Sequence, residues 1–153
     1  PWDGPRTLKD MMLFADEDEM CSYFTDYPIY IHPADEIMLT DHQWSVTPAY
    51  EPFVPRTAQP NFVMEGSQLT LAGMDITVLH TPGHTPGCVC YQFENALFTG
   101  DTLFNRGYGR ADLPGGNFRE LVASLRRLYR MDPLLPFYPG HGPHSTIGKE
   151  RGH

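Results

Sequence analysis

The stretch HTPGHTPG, residues 80–87, lies between two short, mostly apolar segments, residues 74–79 and 88–93. Its two prolines and two glycines predict a tight, rigid loop, because proline fixes φ and glycine allows sharp turns. The flanking segments have the length and composition of strands. The loop therefore presents His84 next to a strand end, where a fold can hold a functional side chain in place.

Two more polar residues come directly after a strand-like segment and a glycine. Asp101 follows the sequence ALFTG at residues 96–100, and His141 follows LPFYPG at residues 135–140. Neutral imidazole and carboxylate are ligands that zinc accepts in proteins. Three such strand endings in one small chain predict a metal site at one rim of a sheet, formed by His84, Asp101 and His141.

Four motifs in this order resemble those of the metallo-β-lactamase-fold hydrolases, and most of all the small glyoxalase-II-like (hydroxyacylglutathione hydrolase-like) members. The resemblance runs from about Tyr27 to the C-terminus. It implies an α+β fold, an αββα sandwich whose N-terminal half is missing or replaced, because the family's first metal motif, His-x-His-x-Asp-His, is absent from the sequence. The motifs are HTPGHTPG at 80–87, FTGD at 98–101, GRADLPGG at 109–116 and YPGHG at 138–142.

The resemblance also implies a role for each candidate ligand. His84 matches the family's ligand of a first metal, His141 matches a ligand of the second, and Asp101 matches the residue that bridges both. We therefore expect Asp101 to be catalytic, by orienting the attacking water, and the cofactor to be one or two Zn²⁺ ions, with iron as the alternative metal. Because the remaining ligands belong to the absent motif, we expect this chain to bind the metal ions weakly. His32 is expected to be structural.

The function that the resemblance implies is a metal-dependent hydrolase acting on a thioester, such as S-lactoylglutathione, or on a related ester. Two alternatives stay open. One is a non-catalytic or truncated relative whose half-sandwich exposes sheet surface, which a partner such as a second copy of the chain must cover. The other is a relative of the iron-dependent persulfide dioxygenases, which share the Gly-Arg-x-Asp loop present at residues 109–112.

Length, charge and cysteine content limit the remaining classes. The 153 residues suffice for one domain, which we place at residues 1–153. A formal net charge of −8 disfavours a nucleic-acid partner, since such binding requires a basic face. No apolar run approaches ~20 residues and no basic-then-apolar leader opens the sequence, so we expect neither a membrane span nor a signal peptide. Of the three cysteines, Cys88 and Cys90 share one strand face, which favours core packing in a reducing, cytoplasmic compartment.

Periodicity predicts two helices and one long loop. An apolar stripe from Thr7 to Phe24 predicts a loose helix. Residues 45–60 hold four prolines and no periodic pattern, which predicts a long loop. Asn117 caps the strongest predicted helix, whose apolar residues recur on one face as far as Tyr129.

Two local features complete the sequence predictions. Gly66-Ser67 is typical of a hairpin turn, here between strands at residues 62–64 and 69–71. Within the Gly-Arg-x-Asp loop, we favour an internal ion pair between Arg110 and Asp112 that shapes the loop beside the candidate site, over direct contact with a substrate.

Overall fold

The computed structural model describes residues 29–41, 43–44 and 60–152. The helix expected at residues 7–24 lies outside the described residues, and so does the loop expected at residues 45–60, except for Pro60. Within them the chain mixes strands and helices, so the predicted α+β class is confirmed. None of the helices in this part of the chain has the length and apolarity that crossing a bilayer requires.

Most of the described strands form one six-stranded sheet in the order β10-β9-β6-β5-β4-β3. Two short strand pairs lie outside this sheet: β1 is parallel to β2, and β7 is antiparallel to β8. In chain order the strands are β1 (Tyr30–Ile31), β2 (Asn61–Phe62), β3 (Gln68–Leu71), β4 (Met74–His80), β5 (Val89–Gln92), β6 (Leu97–Gly100), β7 (Leu103–Phe104), β8 (Gly107–Tyr108), β9 (Pro136–Pro139) and β10 (Ser145–Thr146).

Strand direction brings three chain segments to one edge of the sheet. β5 is antiparallel to both β4 and β6, so β4 and β6 point the same way, and β9 is parallel to β6. The segments that follow β4, β6 and β9 therefore leave the sheet at the same edge. They carry the HTPGHTPG loop, Asp101 and His141, which is why residues far apart in the sequence come together.

The hairpin expected between residues 62–64 and 69–71 is not formed, and that prediction was wrong. β2 pairs with β1, whereas β3 pairs with β4, with Leu71 opposite Met74. The hairpin turn is instead Ala72-Gly73, where both residues have positive φ, 52° and 77°. A two-residue loop of this kind matches the twist of antiparallel strands. The two turns look alike in the sequence, and the longer, more apolar β4 determines which partner β3 takes.

In the described part of the chain, one long helix packs on one face of the sheet, and its first residues confirm the predicted cap. Helix α1 (Phe118–Tyr129) begins after Asn117, whose side-chain oxygen accepts a hydrogen bond from Glu120 N at 3.1 Å. Its apolar stripe buries three leucines against the sheet, which removes apolar surface from water and holds both layers together. The shared core comprises Leu79, Cys90, Leu97, Leu103, Leu121, Leu125, Leu128, Phe137 and Ile147.

The opposite face of the sheet carries a row of apolar side chains. Val78, Tyr91, Phe98 and Tyr138 lie opposite one another on β4, β5, β6 and β9, and we call the last three the aromatic row. Phe98 and Tyr138 are each 42% exposed, and their rings stack with centroids 5.4 Å apart. Large apolar side chains exposed side by side are typical of a face that another surface covers.

Two short helices complete the described fold. A 3₁₀ helix (Pro33–Leu39) follows β1, and helix α2 (Ile147–Glu150) follows β10. Glu150 is buried, and both of its carboxylate oxygens accept hydrogen bonds from Arg106 N, at 3.0 and 3.1 Å. Arg106 lies in the β7–β8 turn with φ of 63°, so α2 fixes the hairpin that carries Phe104 beside the candidate site.

Candidate metal centre

Asp101 lies at the centre of the candidate site. His84 Nε2 is 3.5 Å from one carboxylate oxygen of Asp101, and His141 Nε2 is 3.3 Å from the other. The structure thus brings together the three residues that the sequence predicts as ligands. The two imidazoles do not share an oxygen, so the arrangement consists of two halves joined by Asp101.

The protein holds His84 tightly. Its Nδ1 lies 2.7 Å from the carbonyl oxygen of Arg110, and 17% of its side chain is exposed. A carbonyl oxygen only accepts hydrogen bonds, so Nδ1 carries a proton, and in the neutral imidazole Nε2 then presents a lone pair towards Asp101. Metal-binding histidines have this second hydrogen bond, which fixes the tautomer and the orientation of the ring.

The protein holds His141 much less tightly than His84. It follows Gly140 and precedes Gly142, and 77% of its side chain is exposed. The ring of Phe104 lies edge-on to its imidazole, with centroids 6.0 Å apart. Phe104 therefore contacts a candidate ligand.

The candidate ligands form two incomplete sites for a divalent metal, which share Asp101. We call them the His84 half and the His141 half. In the His84 half, a nitrogen lone pair faces a carboxylate oxygen, and two acceptors at this distance are stabilised by a cation between them. Two ligands of one tetrahedral zinc ion lie roughly 3.4 Å apart, which agrees with both measured separations. Within residues 29–41, 43–44 and 60–152, however, no three His, Cys, Asp or Glu side chains surround one point as a complete cation site. Each half therefore offers two protein ligands.

Two glycines allow the backbone to approach Asp101. A Cβ at Gly140 would lie 2.6 Å from Asp101 Oδ1, and Gly140 N donates to Gly100 O at 2.7 Å. A Cβ at Gly109 would collide with the Asp101 carbonyl oxygen and would lie 3.3 Å from His84 Nδ1. The glycines of the predicted motifs are therefore needed for space around the candidate ligands.

Helix α1 supports the His84 loop from one side. The Ser124 hydroxyl donates to the Pro82 carbonyl at 2.7 Å, and Asn117 N donates to the Gly83 carbonyl at 2.8 Å. A side chain at Gly83 would meet the backbone of Leu121, so the loop and the helix are in direct contact.

An ion pair fixes the start of the same loop. Glu65 accepts a hydrogen bond from His80 N at 3.0 Å and is bound through both oxygens by Arg127, which also donates to the His80 carbonyl at 3.2 Å. The hydrogen bonds from Arg127 lower the pKa of the Glu65 carboxyl. Sequence reasoning missed Glu65, because its partners lie 15 and 62 residues away.

The 3₁₀ helix supports the loop from the other side. Asp35 accepts hydrogen bonds from Thr85 Oγ1 at 2.6 Å and from Gly87 N at 2.7 Å. His32 caps the 3₁₀ helix by accepting from Ala34 N at 3.0 Å, and its ring stacks on that of His80 at 4.2 Å. These contacts agree with the structural role expected of His32. Asp35 was missed as a site residue.

The Arg110–Asp112 ion pair forms, with two hydrogen bonds of 2.7 Å. The pair lies within the loop, as expected, and both side chains are more than half exposed. The hydrogen bonds from Arg110 lower the pKa of Asp112 to about 2. The contribution of Arg110 to the site comes from its backbone carbonyl, which the sequence could not show.

The two described cysteines are free and do not resemble metal ligands. Burial raises the pKa of the Cys90 thiol to about 12 and also raises that of Cys88, so burial favours the neutral thiol at both positions. Cys90 belongs to the core, as expected, whereas Cys88 precedes β5, is only partly buried and is not part of the core.

Comparisons of sequence identify the family. The profile of the metallo-beta-lactamase superfamily matches residues 24–141. An uncharacterised protein of Mycobacterium tuberculosis is 40% identical over 138 residues, which cover 81% of this chain and 62% of that protein. Hydroxyacylglutathione hydrolase GloC of Haemophilus influenzae is 40% identical over 93 residues, which cover 59% of this chain and 44% of that enzyme.

Solved structures give the same result. The BLEG-1 B3 metallo-beta-lactamase matches with a TM-score of 0.78 at 33% identity, covering 89% of this chain and 67% of that one. TTHA1623, solved in a di-iron-bound form, matches with a TM-score of 0.74 at 32% identity, covering 87% and 66%. This chain thus spans 62% of the M. tuberculosis protein and 44% of GloC, and about two thirds of each of the two solved structures. With most of its residues inside the matched range, the chain belongs to the metallo-β-lactamase superfamily, whose members bind metal ions.

Proposed function

We propose that this protein is a metal-dependent hydrolase that acts on a thioester, such as S-lactoylglutathione, or on a related ester. The observation that carries the proposal is the pair of imidazoles, His84 and His141, facing different oxygens of the one carboxylate of Asp101. The identity with GloC, a hydroxyacylglutathione hydrolase, supports the substrate class.

The roles of the three residues follow from their surroundings. A bound zinc or iron ion would polarise a substrate carbonyl and lower the pKa of a water molecule. His84 would hold one ion through Nε2, because its Nδ1 proton is engaged by the Arg110 carbonyl. His141 would hold the second, and Asp101 would bridge the two. Asp101 would also accept a hydrogen bond from the attacking water and so orient it, which makes it the proposed catalytic residue.

The number of ligands sets the conditions of the test. Each half offers two protein ligands among the described residues, whereas catalytic zinc sites use three. The chain should therefore be assayed with added zinc or ferrous iron in excess, against a blank that contains metal without protein. Hydrolysis of S-lactoylglutathione above the blank, lost in the Asp101→Asn variant, is the expected result. Turnover equal to the blank in both metals contradicts the proposal for this chain.

Iron-dependent oxygenation of a persulfide is a second candidate. The di-iron-bound form of TTHA1623 favours iron in a relative, and the Arg110–Asp112 loop is present here. Elemental analysis of protein purified without added metal separates the two metals, and oxygen uptake with glutathione persulfide tests the reaction. Bound iron with oxygen uptake supports this candidate, whereas bound zinc with thioester hydrolysis supports the first.

The aromatic row supports a third candidate, a relative that requires a second copy of the chain to cover its sheet. Its exposed rings are apolar, and a face of this kind can pack on an identical face around a two-fold axis. Light scattering after size-exclusion chromatography tests it. A dimer that Phe98→Asp converts to a monomer supports the candidate, whereas a monomeric wild type with a cooperative melt contradicts it.

A further inference from the structure

We propose that Asp35 is a positioning residue for His84 and that it sets the affinity of the His84 half of the site for a divalent metal. This inference rests on the proposed metal centre. The hydrogen bonds of Asp35 reach neither His84 nor Asp101, and Asp35 acts through the loop that carries His84.

Both carboxylate oxygens of Asp35 bind the His84 loop. One accepts from the hydroxyl of Thr85, the residue directly after His84, at 2.6 Å, and the other accepts from Gly87 N at 2.7 Å. Hydrogen bonds to an ionised acceptor are shorter and roughly twice as strong as neutral ones. Two of them on alternate residues fix both the position and the orientation of this part of the loop.

The approach of Asp35 to the loop leaves no free space. A Cβ at Gly87 would lie 2.6 Å from Asp35 Cγ, so residue 87 must be a glycine for the carboxylate to reach the backbone. Gly87 itself is buried. The glycine of the second Thr-Pro-Gly repeat is therefore explained by this contact.

The element that carries Asp35 is rigid in its own right. Pro33 opens the 3₁₀ helix and the His32 side chain caps it, so Asp35 projects from a defined turn. The stacking of His32 on His80 joins this turn to the first residue of the loop. Asp35 thus holds the loop across 50 residues of sequence, at Thr85 and Gly87, whereas helix α1 and its cap contact the loop at Pro82 and Gly83.

The hydroxyl of Thr85 has one proton and two neighbours. It lies 2.6 Å from Asp35 Oδ2 and 3.0 Å from Cys88 Sγ. The shorter, charge-assisted hydrogen bond to Asp35 is the stronger of the two, and the Cys88 sulfur is a weak second acceptor. The Thr85 hydroxyl therefore ties the loop to Asp35 immediately after His84.

Removal of Asp35 should loosen His84 without removing any ligand. The loop would keep its contacts with helix α1, but Thr85 and Gly87 N would lose their acceptor. Loss of groups that orient metal ligands typically weakens metal affinity by about 10–100-fold. We therefore expect Asp35→Asn, which keeps the shape but not the charge, to raise the dissociation constant for Co²⁺ about tenfold.

The experiment compares four variants in the full chain. Asp35→Asn and Thr85→Val break the hydrogen bond between Thr85 and Asp35. Thr85→Ser retains the hydroxyl and should keep the wild-type affinity for Co²⁺. Asp75→Asn is the matched control, because Asp75 accepts a hydrogen bond from Thr70 Oγ1 at 3.0 Å on the exposed β3–β4 hairpin. Co²⁺ affinity is measured by competition with a chromogenic chelator. In metal-free protein, ring-nitrogen NMR reports the Nδ1-protonated tautomer of His84, and thermal melting reports stability.

The outcomes separate the positioning role from simpler explanations. Weaker Co²⁺ binding and a mixed His84 tautomer in Asp35→Asn and Thr85→Val, with Thr85→Ser and Asp75→Asn near wild type, support the proposal. A lower melting temperature with an unchanged tautomer indicates a structural role alone and overturns it, as does unchanged affinity with an unchanged tautomer. If wild type binds no Co²⁺, the proposed metal centre fails, and the tautomer measurement alone decides the role of Asp35.

Discussion

His84 and His141 approach the same carboxylate but differ in how the protein holds them. The side chain of His84 is 17% exposed and that of His141 is 77% exposed. His84 donates to the Arg110 carbonyl from a loop held on both sides by the rest of the fold. In the described part of the chain, Phe104 and Asp101 are the neighbours that order the ring of His141.

This difference in exposure and hydrogen bonding indicates that the two imidazoles become ordered at different steps. His84 is ordered by folding, so a metal that binds it finds the imidazole already in position. His141 must give up side-chain freedom when a metal binds, which costs about 0.5–1.5 kcal/mol for an immobilised side chain. We therefore expect the two halves of the site to load in order, His84 first, with affinities that differ by roughly tenfold.

The largest expected effect comes from breaking both halves together. Asp101→Asn removes the negative charge that His84 and His141 share, and it should abolish both Co²⁺ equivalents. In the assay of the proposed hydrolase, turnover should fall to the blank, a loss of roughly a thousandfold or about 4 kcal/mol of transition-state stabilisation. Asp112→Asn, at an exposed carboxylate, is the control and should retain activity. Metal binding that survives in Asp101→Asn would exclude Asp101 as the shared ligand.

Next in size is the test of loading order itself. His84→Ala should remove the tighter Co²⁺ equivalent, so that the first equivalent binds roughly tenfold more weakly than in wild type. His141→Ala should leave the tighter equivalent unchanged and remove the weaker one. Isothermal titration with Co²⁺ measures both. The comparison fails if His141→Ala weakens the first equivalent more than His84→Ala does.

The melting temperature should depend on the free space at Gly109, beside Asp101 and the ring of His84. Gly109→Ala places a methyl group against the Asp101 carbonyl oxygen and the His84 ring, whereas a Cβ at Gly107 meets nothing within 4 Å. Overpacking costs about 1–3 kcal/mol, which for a chain of this size lowers the melting temperature by roughly 2–12 °C. Gly107→Ala should change it by about 2 °C or less. Equal melting temperatures for the two variants would show that the backbone beside Asp101 can relax.

The sequence was sufficient where a feature is local. His84, Asp101 and His141 each follow a strand and a glycine, and Asn117 caps its own helix, so short motifs predict them. The parallel pairing of β6 with β9 completes the site, but nothing local specifies it, because it depends on helix α1 returning the chain to the sheet. The family resemblance supplied that information before the structure did.

The sequence was insufficient where a side chain acts at a distance. Asp35 lies 50 residues before Thr85, and Glu65 lies 62 residues before Arg127. Their neighbours along the chain give no indication of these partners. The hairpin error has a related cause, because Gly66-Ser67 and Ala72-Gly73 are both plausible turns and only the pairing of β3 with β4 distinguishes them.

The smallest expected effect concerns Arg110, whose backbone holds His84 while its side chain faces solvent. Arg110→Ala removes the ion pair with Asp112 but keeps the carbonyl, so Co²⁺ affinity should stay within about twofold of wild type, as is usual for exposed pairs. The pKa of Asp112 is lowered from 3.8 to about 2, so any stabilisation by the pair is present above pH 3.8 and is lost as the pH falls through about 2. Urea unfolding at pH 7 and pH 2 should therefore show the variant and wild type converging at the lower pH. A large loss of metal affinity in Arg110→Ala would mean that the side chain, and not the carbonyl, orders His84.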